Sequence, residues 1–141
     1  MINSNEINEI LKKHKILLTS NGKNGCQIEL DADLSYSKIV GADLRCASLN
    51  DSNLTHAKLS YTNLKGAQLS FCDLESVNLT FSNLKNADLR YANLSHADLR
   101  RAVLQSTNLR YADLRGVNLR DVDLSGQTLI VLYYLNQHSL Y

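Results

Sequence analysis

From Leu34 to Leu129 every fifth residue is Leu, with Ile39 the single exception, so twenty central positions follow one another without an insertion. A helix advances about 100° per residue, and Leu at a spacing of five would spiral around it without forming a face. In a flat strand five is an odd step, so successive Leu would alternate between the two faces. Neither regular element buries them all. The chain must bend once per unit, so that each Leu points toward a common axis.

A second inward position lies two residues before each Leu. It holds Ala, Ser, Thr, Cys or Val almost throughout and ends at Gln127. Small side chains suit a narrow interior. The two residues after each Leu are mostly polar or aromatic and are expected to face outward. Gly41, Gly66, Gly116 and Gly126 all stand two residues after the central position. That places them at corners, where a backbone without Cβ is favoured.

The unit (small, Asp or Asn, Leu, then two variable residues) is plainest in Ala87-Asp-Leu-Arg-Tyr-Ala-Asn-Leu-Ser-His-Ala-Asp-Leu-Arg100. It resembles the pentapeptide-repeat family over about residues 31–130. The resemblance implies an all-β solenoid: a right-handed, four-sided β-helix with twenty residues per coil and about five coils. At a strand-like spacing of roughly 4.8 Å per coil the rod would be about 24 Å long. The expected organisation is an N-terminal helix and turn cap over 1–25, the repeat β-helix over 26–130, and an apolar C-terminal cap or dimerisation segment over 131–141.

Residues 4–19 read as a helix, with Ile7, Ile10, Leu11, Leu17 and Leu18 on one side and His14 in the same stripe. Asn3 with Glu6 suits a capping pair, and Ser20-Asn21-Gly22 a stop. Cys26 to Leu30 reads as a lead-in strand. A solenoid needs its end coils covered, and this helix is expected to cover the first. His14, Leu17, Leu18, Ser20, Gly22 and Gly25 resemble the start that many members of the family carry. Leu129 to Leu135 is apolar nearly all round and unsuited to a free tail. It either folds over the last coil or joins a second copy. The resemblance supports the second option, because gyrase-protecting members dimerise through their C-termini.

Net charge is +1, so no bulk field drives the chain toward nucleic acid, and direct nucleic-acid binding is not expected. The N-terminal residues lack the pattern of a secretory signal, and no apolar run approaches the roughly 20 residues of a membrane span. The expected location is the cytoplasm. The three cysteines make no metal-binding motif. Cys72 falls on an inward position, Cys46 faces outward, and Cys26 lies twenty residues before Cys46, where coil spacing would permit a disulfide.

Stacking on a twenty-residue coil turns each outward position into a ladder. Phe71, Tyr91 and Tyr111 form one, preceded by Asp51, and Tyr61 stacks on Phe81 in another. Arg45, Lys65 and Lys85 share a ladder, as do Arg90 with Arg110 and Arg100 with Arg120. Residues 90–120 hold six Arg against Asp98 and Asp113, so the later coils lean basic. Aromatic side chains are favoured at binding hot spots. Phe71, Tyr91 and Tyr111, with Arg90 and Arg110 beside them, are therefore the candidate contacts for another protein.

The best-known activity that the resemblance brings is mimicry of duplex DNA toward gyrase, a type II topoisomerase. The relevant residues would be Asp33, Asp73 and Asp113, which share a ladder with Asn53 and Asn93 between them. Residues 31–129 hold eleven acidic and eleven basic residues, a poor replacement for a dense line of phosphates. Catalysis has less support. His56 and His96 share a ladder but stand two coils, about 10 Å, apart, too far for one metal at ligand distances of about 2 Å. No nucleophile pairs with a base, and neither cofactor nor metal is expected. The sequence thus points to a non-catalytic binding or scaffold module, with the gyrase modulator as the alternative.

Overall fold

The computed structural model describes residues 4–19 and 33–124. Helix α1 spans Ser4–Thr19 with Glu6 in its first turn, where a carboxylate complements the helix dipole. The expected C-terminal segment, the Ser20-to-Gly22 stop, the lead-in strand, Cys26 and Gly126 lie outside the described residues. So do the side chains of His14, Leu17 and Leu18.

From Asp33 onward the chain coils with a strict period. Asp33 bridges Asn53 in parallel, Lys38 bridges Lys58, Asp43 bridges Asn63 and Ser48 bridges Gln68, and the same step of twenty continues to Val103 with Asp123. Each coil therefore has four sides, one bridge long. The bridges stay short because the chain turns within every unit.

The unit from Cys72 to Ser76 accounts for all five of its backbone N–H groups. Asp73 donates to Ser52 O of the preceding coil at 3.1 Å; Leu74 donates to Asn93 O at 2.7 Å and Ser76 to Ser95 O at 2.9 Å in the next. Cys72 donates to Leu69 O at 3.4 Å, closing the previous turn, as Val77 closes this one on Leu74 O at 3.1 Å. That leaves the N–H of Glu75, which donates to the side chain of Asp73 at 3.2 Å. The same Asx bond joins Asn53 to Thr55, Asn83 to Lys85 and Asp98 to Arg100. It gives the physical reason for the Asp or Asn that precedes most of the Leu: an N–H that would otherwise have no protein partner needs an acceptor.

At each corner the second residue after the Leu has positive φ. Gly41, Gly66 and Gly116 stand at φ 71°, 68° and 67°, which agrees with the corner assignment from sequence. Among the described residues fifteen further corners are not glycine, and Tyr36, Phe71, Tyr91 and Arg101 hold the same conformation at φ 57° to 60°. A left-handed residue with a Cβ costs roughly 1–2 kcal/mol. At the corners from Tyr36 to Arg101 a hydrogen bond from the corner N–H to the next coil enforces it nonetheless.

Inside, the Leu from Leu49 through Leu104 are all less than 2% exposed. The second inward row is buried as well, including Ala57, Ala67, Val77 and Ala87. Polar members of that row bond to nearby carbonyls in two ways: Thr62 and Ser82 donate within their own turn to Leu59 O and Leu79 O at 2.6 and 2.7 Å, and Thr107 donates to Leu84 O of the preceding coil at 2.8 Å. At the N-terminal end Ile7 joins the core and Leu11 packs against it. Ile7, Ile10 and Leu11 enclose a void of about 20 Å³ with Leu34, Ile39 and Leu44. No helix among the described residues is long and apolar enough to cross a membrane.

Candidate functional site

Apart from the small apolar void beneath α1, the described interior is filled, so polar chemistry falls to the outward positions, above all the corners. Because every corner has the same backbone conformation, side chains twenty residues apart are held in register at the coil spacing. The ring centroids of Phe71 and Tyr91 lie 4.8 Å apart with planes 5° off parallel, and those of Tyr91 and Tyr111 lie 4.8 Å apart at 14°. The column is open to solvent: Phe71 is 59% exposed, Tyr91 49% and Tyr111 44%. A stacked aromatic pair contributes about 0.5–1.5 kcal/mol. Two stacks across three corners offset only part of the conformational cost of those corners.

The diagonally opposite corner carries a different column. Tyr61 stacks on Phe81 at 4.9 Å and 4°, the Arg101 guanidinium lies 5.5 Å from the Phe81 ring centre, and Arg101 pairs with Asp121 at 3.3 Å. Tyr36 stacks on His56 at 4.9 Å, a pair that sequence reasoning missed by matching His56 only with His96. His96 stands beside Gly116, where an added Cβ would lie 2.7 Å from His96 Nδ1.

The arginines that follow Asp-Leu find their partner in sequence rather than one coil away. Arg45 donates Nε and Nη2 to the carboxylate of Asp43, Arg90 to Asp88, Arg100 to Asp98 and Arg115 to Asp113. In every case the motif is Asp-Leu-Arg. Residues on either side of an inward Leu project to the same outward face, so the pair closes across the buried side chain. The hydrogen bond from each Arg is the main cause that holds Asp88, Asp98 and Asp113 below the ordinary carboxylate range. Arg110 and Arg120 follow Asn108 and Asn118. Their backbone N–H groups take the Asn cap, but their guanidinium groups have no ion pair among the described residues. The basic lean over residues 90–120 is therefore largely neutralised locally. Of the candidate contacts, Arg90 is tied to Asp88 and Arg110 is not.

Asp33, Asp73 and Asp113 fall on one side of the rod, linked in register through Asn53 and Asn93. Asp33 caps Ser35 N–H at 3.1 Å; bonds from Ser35, side chain first, hold its carboxyl below the usual value. Asp73 accepts from Glu75 N–H and, at 3.1 Å, from Asn93 Nδ2, while Asp113 is bound by Arg115. The Asx cap was the signal behind this row, readable from the interchange of Asp with Asn.

Cys72 is in the core, where its thiol donates to Leu49 O at 2.8 Å and burial pushes its pKa up to about 12. Cys46 is a free, exposed thiol. Among the described residues no group of three His, Cys, Asp or Glu is placed to hold a metal ion.

The family model for pentapeptide repeats matches residues 31–66, 52–90, 67–105 and 87–126. The chain belongs to the pentapeptide-repeat family. Solved structures of pentapeptide-repeat proteins agree with the coil, and the family fold is a right-handed quadrilateral β-helix. Rfr23 from the cyanobacterium Cyanothece 51142 is 29% identical, with a TM-score of 0.51, over 74% of this chain and 65% of that protein. HetL, a protein of heterocyst differentiation regulation from the cyanobacterium Nostoc sp. strain PCC 7120, is 34% identical, with a TM-score of 0.39, over 68% of this chain and 48% of its own. QnrB1, a plasmid-mediated fluoroquinolone resistance protein, is 20% identical, with a TM-score of 0.32, over 72% of this chain and 62% of its own. The alignment spans less than two thirds of each of these three proteins. No curated protein matches the chain.

Proposed function

We propose that this pentapeptide-repeat chain is a non-catalytic binding or scaffold module of the cytoplasm that presents the Phe71–Tyr91–Tyr111 corner to another protein. The observation that carries this reading is three stacked rings, exposed together and held at fixed spacing by the coil. A rigid aromatic strip loses little side-chain entropy on binding and offers edges and hydroxyls to a partner. Arg110, with no ion pair among the described residues, adds a cation beside Tyr111, and Arg90 adds a neutralised pair beside Tyr91.

In this reading the rod has about five coils and α1 caps the first, a role supported by the burial of Ile7 against the core. Residues 131–141 close the other end as a cap or as a dimer contact. The test is a photo-cross-linking residue placed at Tyr111 and, as a control, at Ser106 on the adjacent corner. One discrete partner cross-linked from position 111 and none from 106 is expected. Equal labelling from both positions would remove the aromatic corner as the binding face.

A second reading, modulation of gyrase by DNA mimicry, draws on the alignment of Asp33, Asp73 and Asp113. It is the weaker of the two, because Asn53 and Asn93 interrupt the row and Arg115 neutralises Asp113. A supercoiling assay decides it: inhibition at low micromolar protein that is lost in Asp73→Lys would favour mimicry over the aromatic corner.

A further inference from the structure

A cleft of about 290 Å³ opens beside the Phe81 column, lined by Thr80, Phe81, Arg100, Arg101, Arg120 and Asp121. Three arginines line it, beside one carboxylate, Asp121. Arg100 is held by Asp98 through Nε and Nη2, and Arg101 makes a single longer bond of 3.3 Å to Asp121. Arg120 lies one coil from Arg100, since Asp98 bridges Asn118 and Arg101 N–H donates to Arg120 O at 3.2 Å. Coil spacing sets the backbones of the two arginines roughly 4.8 Å apart, and like charges on neighbouring coils repel unless an anion answers them. Asp98 answers the charge on Arg100. Asn118 in the equivalent place answers only the backbone N–H of Arg120, at 3.2 Å.

We propose that this cleft binds a phosphate monoester, gripped by Arg120 together with the free edges of Arg100 and Arg101. Guanidinium forks match the several oxygens of a phosphate, which a single carboxylate cannot supply. The volume sits at the lower limit of the ~300–1,000 Å³ of ordinary ligand pockets, so the ligand is a small phosphate ester rather than an extended cofactor. The Phe81 edge supplies an apolar wall for whatever carries the phosphate. Selection of Asn rather than Asp at position 118 is the deciding feature: the four Asp-Leu-Arg units tie up their own Arg, and this unit leaves it available. The proposal does not rest on the Phe71–Tyr91–Tyr111 corner and stands or falls separately.

The test is calorimetric titration of the full chain, at fixed ionic strength, with inorganic phosphate and with phenyl phosphate. Both are expected to bind the unmodified chain. Arg120→Gln and Asn118→Asp are each expected to weaken binding by about tenfold or more, the loss of one charge-assisted contact. Asn118→Asp keeps the backbone cap and recreates a unit that the chain uses elsewhere, so a folded protein is expected, and circular dichroism checks it. Arg110→Gln, in the same Asn-Leu-Arg setting on another side, is expected to change affinity less than about twofold. Tighter binding of phenyl phosphate supports the ester, whereas equal affinity would assign the site to free phosphate and overturn the ester. No binding of either probe, unchanged binding in Asn118→Asp, or an equal loss in Arg110→Gln would overturn the proposal.

Discussion

Two rows run the length of the same rod under the same twenty-residue period. The inner row holds Leu at every described step but Ile39, because each coil offers the same narrow cavity. The corner row two residues later holds Gly, Tyr, Cys, Asp, His, Phe, Ser, Asn and Arg, all at φ between 54° and 71°. Inside, the fold demands a particular side chain. At the corners it demands only a backbone conformation and leaves the side chain free. Function on such a rod is therefore written at the corners and beside them, and altering the two rows should have opposite consequences.

The largest effect is expected inside. Leu84 is fully buried, and Leu84→Lys places an unpaired charge there. Loss of the cooperative thermal transition is expected, whereas an unchanged melting temperature would contradict the inward row. Leu84→Ala should lower stability by about 2–5 kcal/mol in urea denaturation.

The corners rank next, and unequally. Gly41 has no neighbour among the described residues where a Cβ would stand, while at Gly116 the His96 ring is 2.7 Å away. Gly41→Ala is expected to cost about 1–2 kcal/mol through φ alone. Gly116→Ala should cost more, and His96→Ala in the same chain should recover the excess. Equal losses at both glycines would show that the ring moves aside freely. At Tyr91, replacement by Ser removes two stacks worth about 0.5–1.5 kcal/mol each, leaving a folded rod with a modestly lower urea midpoint.

The smallest effect concerns the Asp-Leu-Arg pairs. Asp88, Asp98 and Asp113 have carboxyls lowered in the folded state by their Arg partners. Their contribution is therefore present above the unfolded carboxylate pKa of about 4 and is lost as pH falls below it toward the folded value. Asp98→Asn keeps the backbone cap and deletes only the ion pair. It should cost at most about 1 kcal/mol at pH 7 and should flatten the loss of stability between pH 5 and pH 2, on the order of the carboxylate range.

The inner row, the small residues beside it and the glycine corners were readable from sequence, because a period of five with no insertion admits one register. The aromatic columns followed from the same register. The local pairs were not readable by that route. Matching charges twenty residues apart set Arg90 against Arg110, although the nearest partner of Arg90 is Asp88, reached across the inward Leu89. Nor did local propensity indicate that Phe71 or Tyr91 would accept a left-handed backbone. Inter-coil hydrogen bonds impose that conformation, and a single unit does not contain them.

The most direct test of the account combines both rows in one protein. Phe71→Ser, Tyr91→Ser and Tyr111→Ser would be made together, and the cross-linking yield from a probe at Arg110 measured beside the melting curve. The account predicts an intact cooperative transition at a somewhat lower temperature and loss of the cross-linked partner. An intact fold with an undiminished yield would show that the aromatic corner stabilises the rod and does not carry its binding.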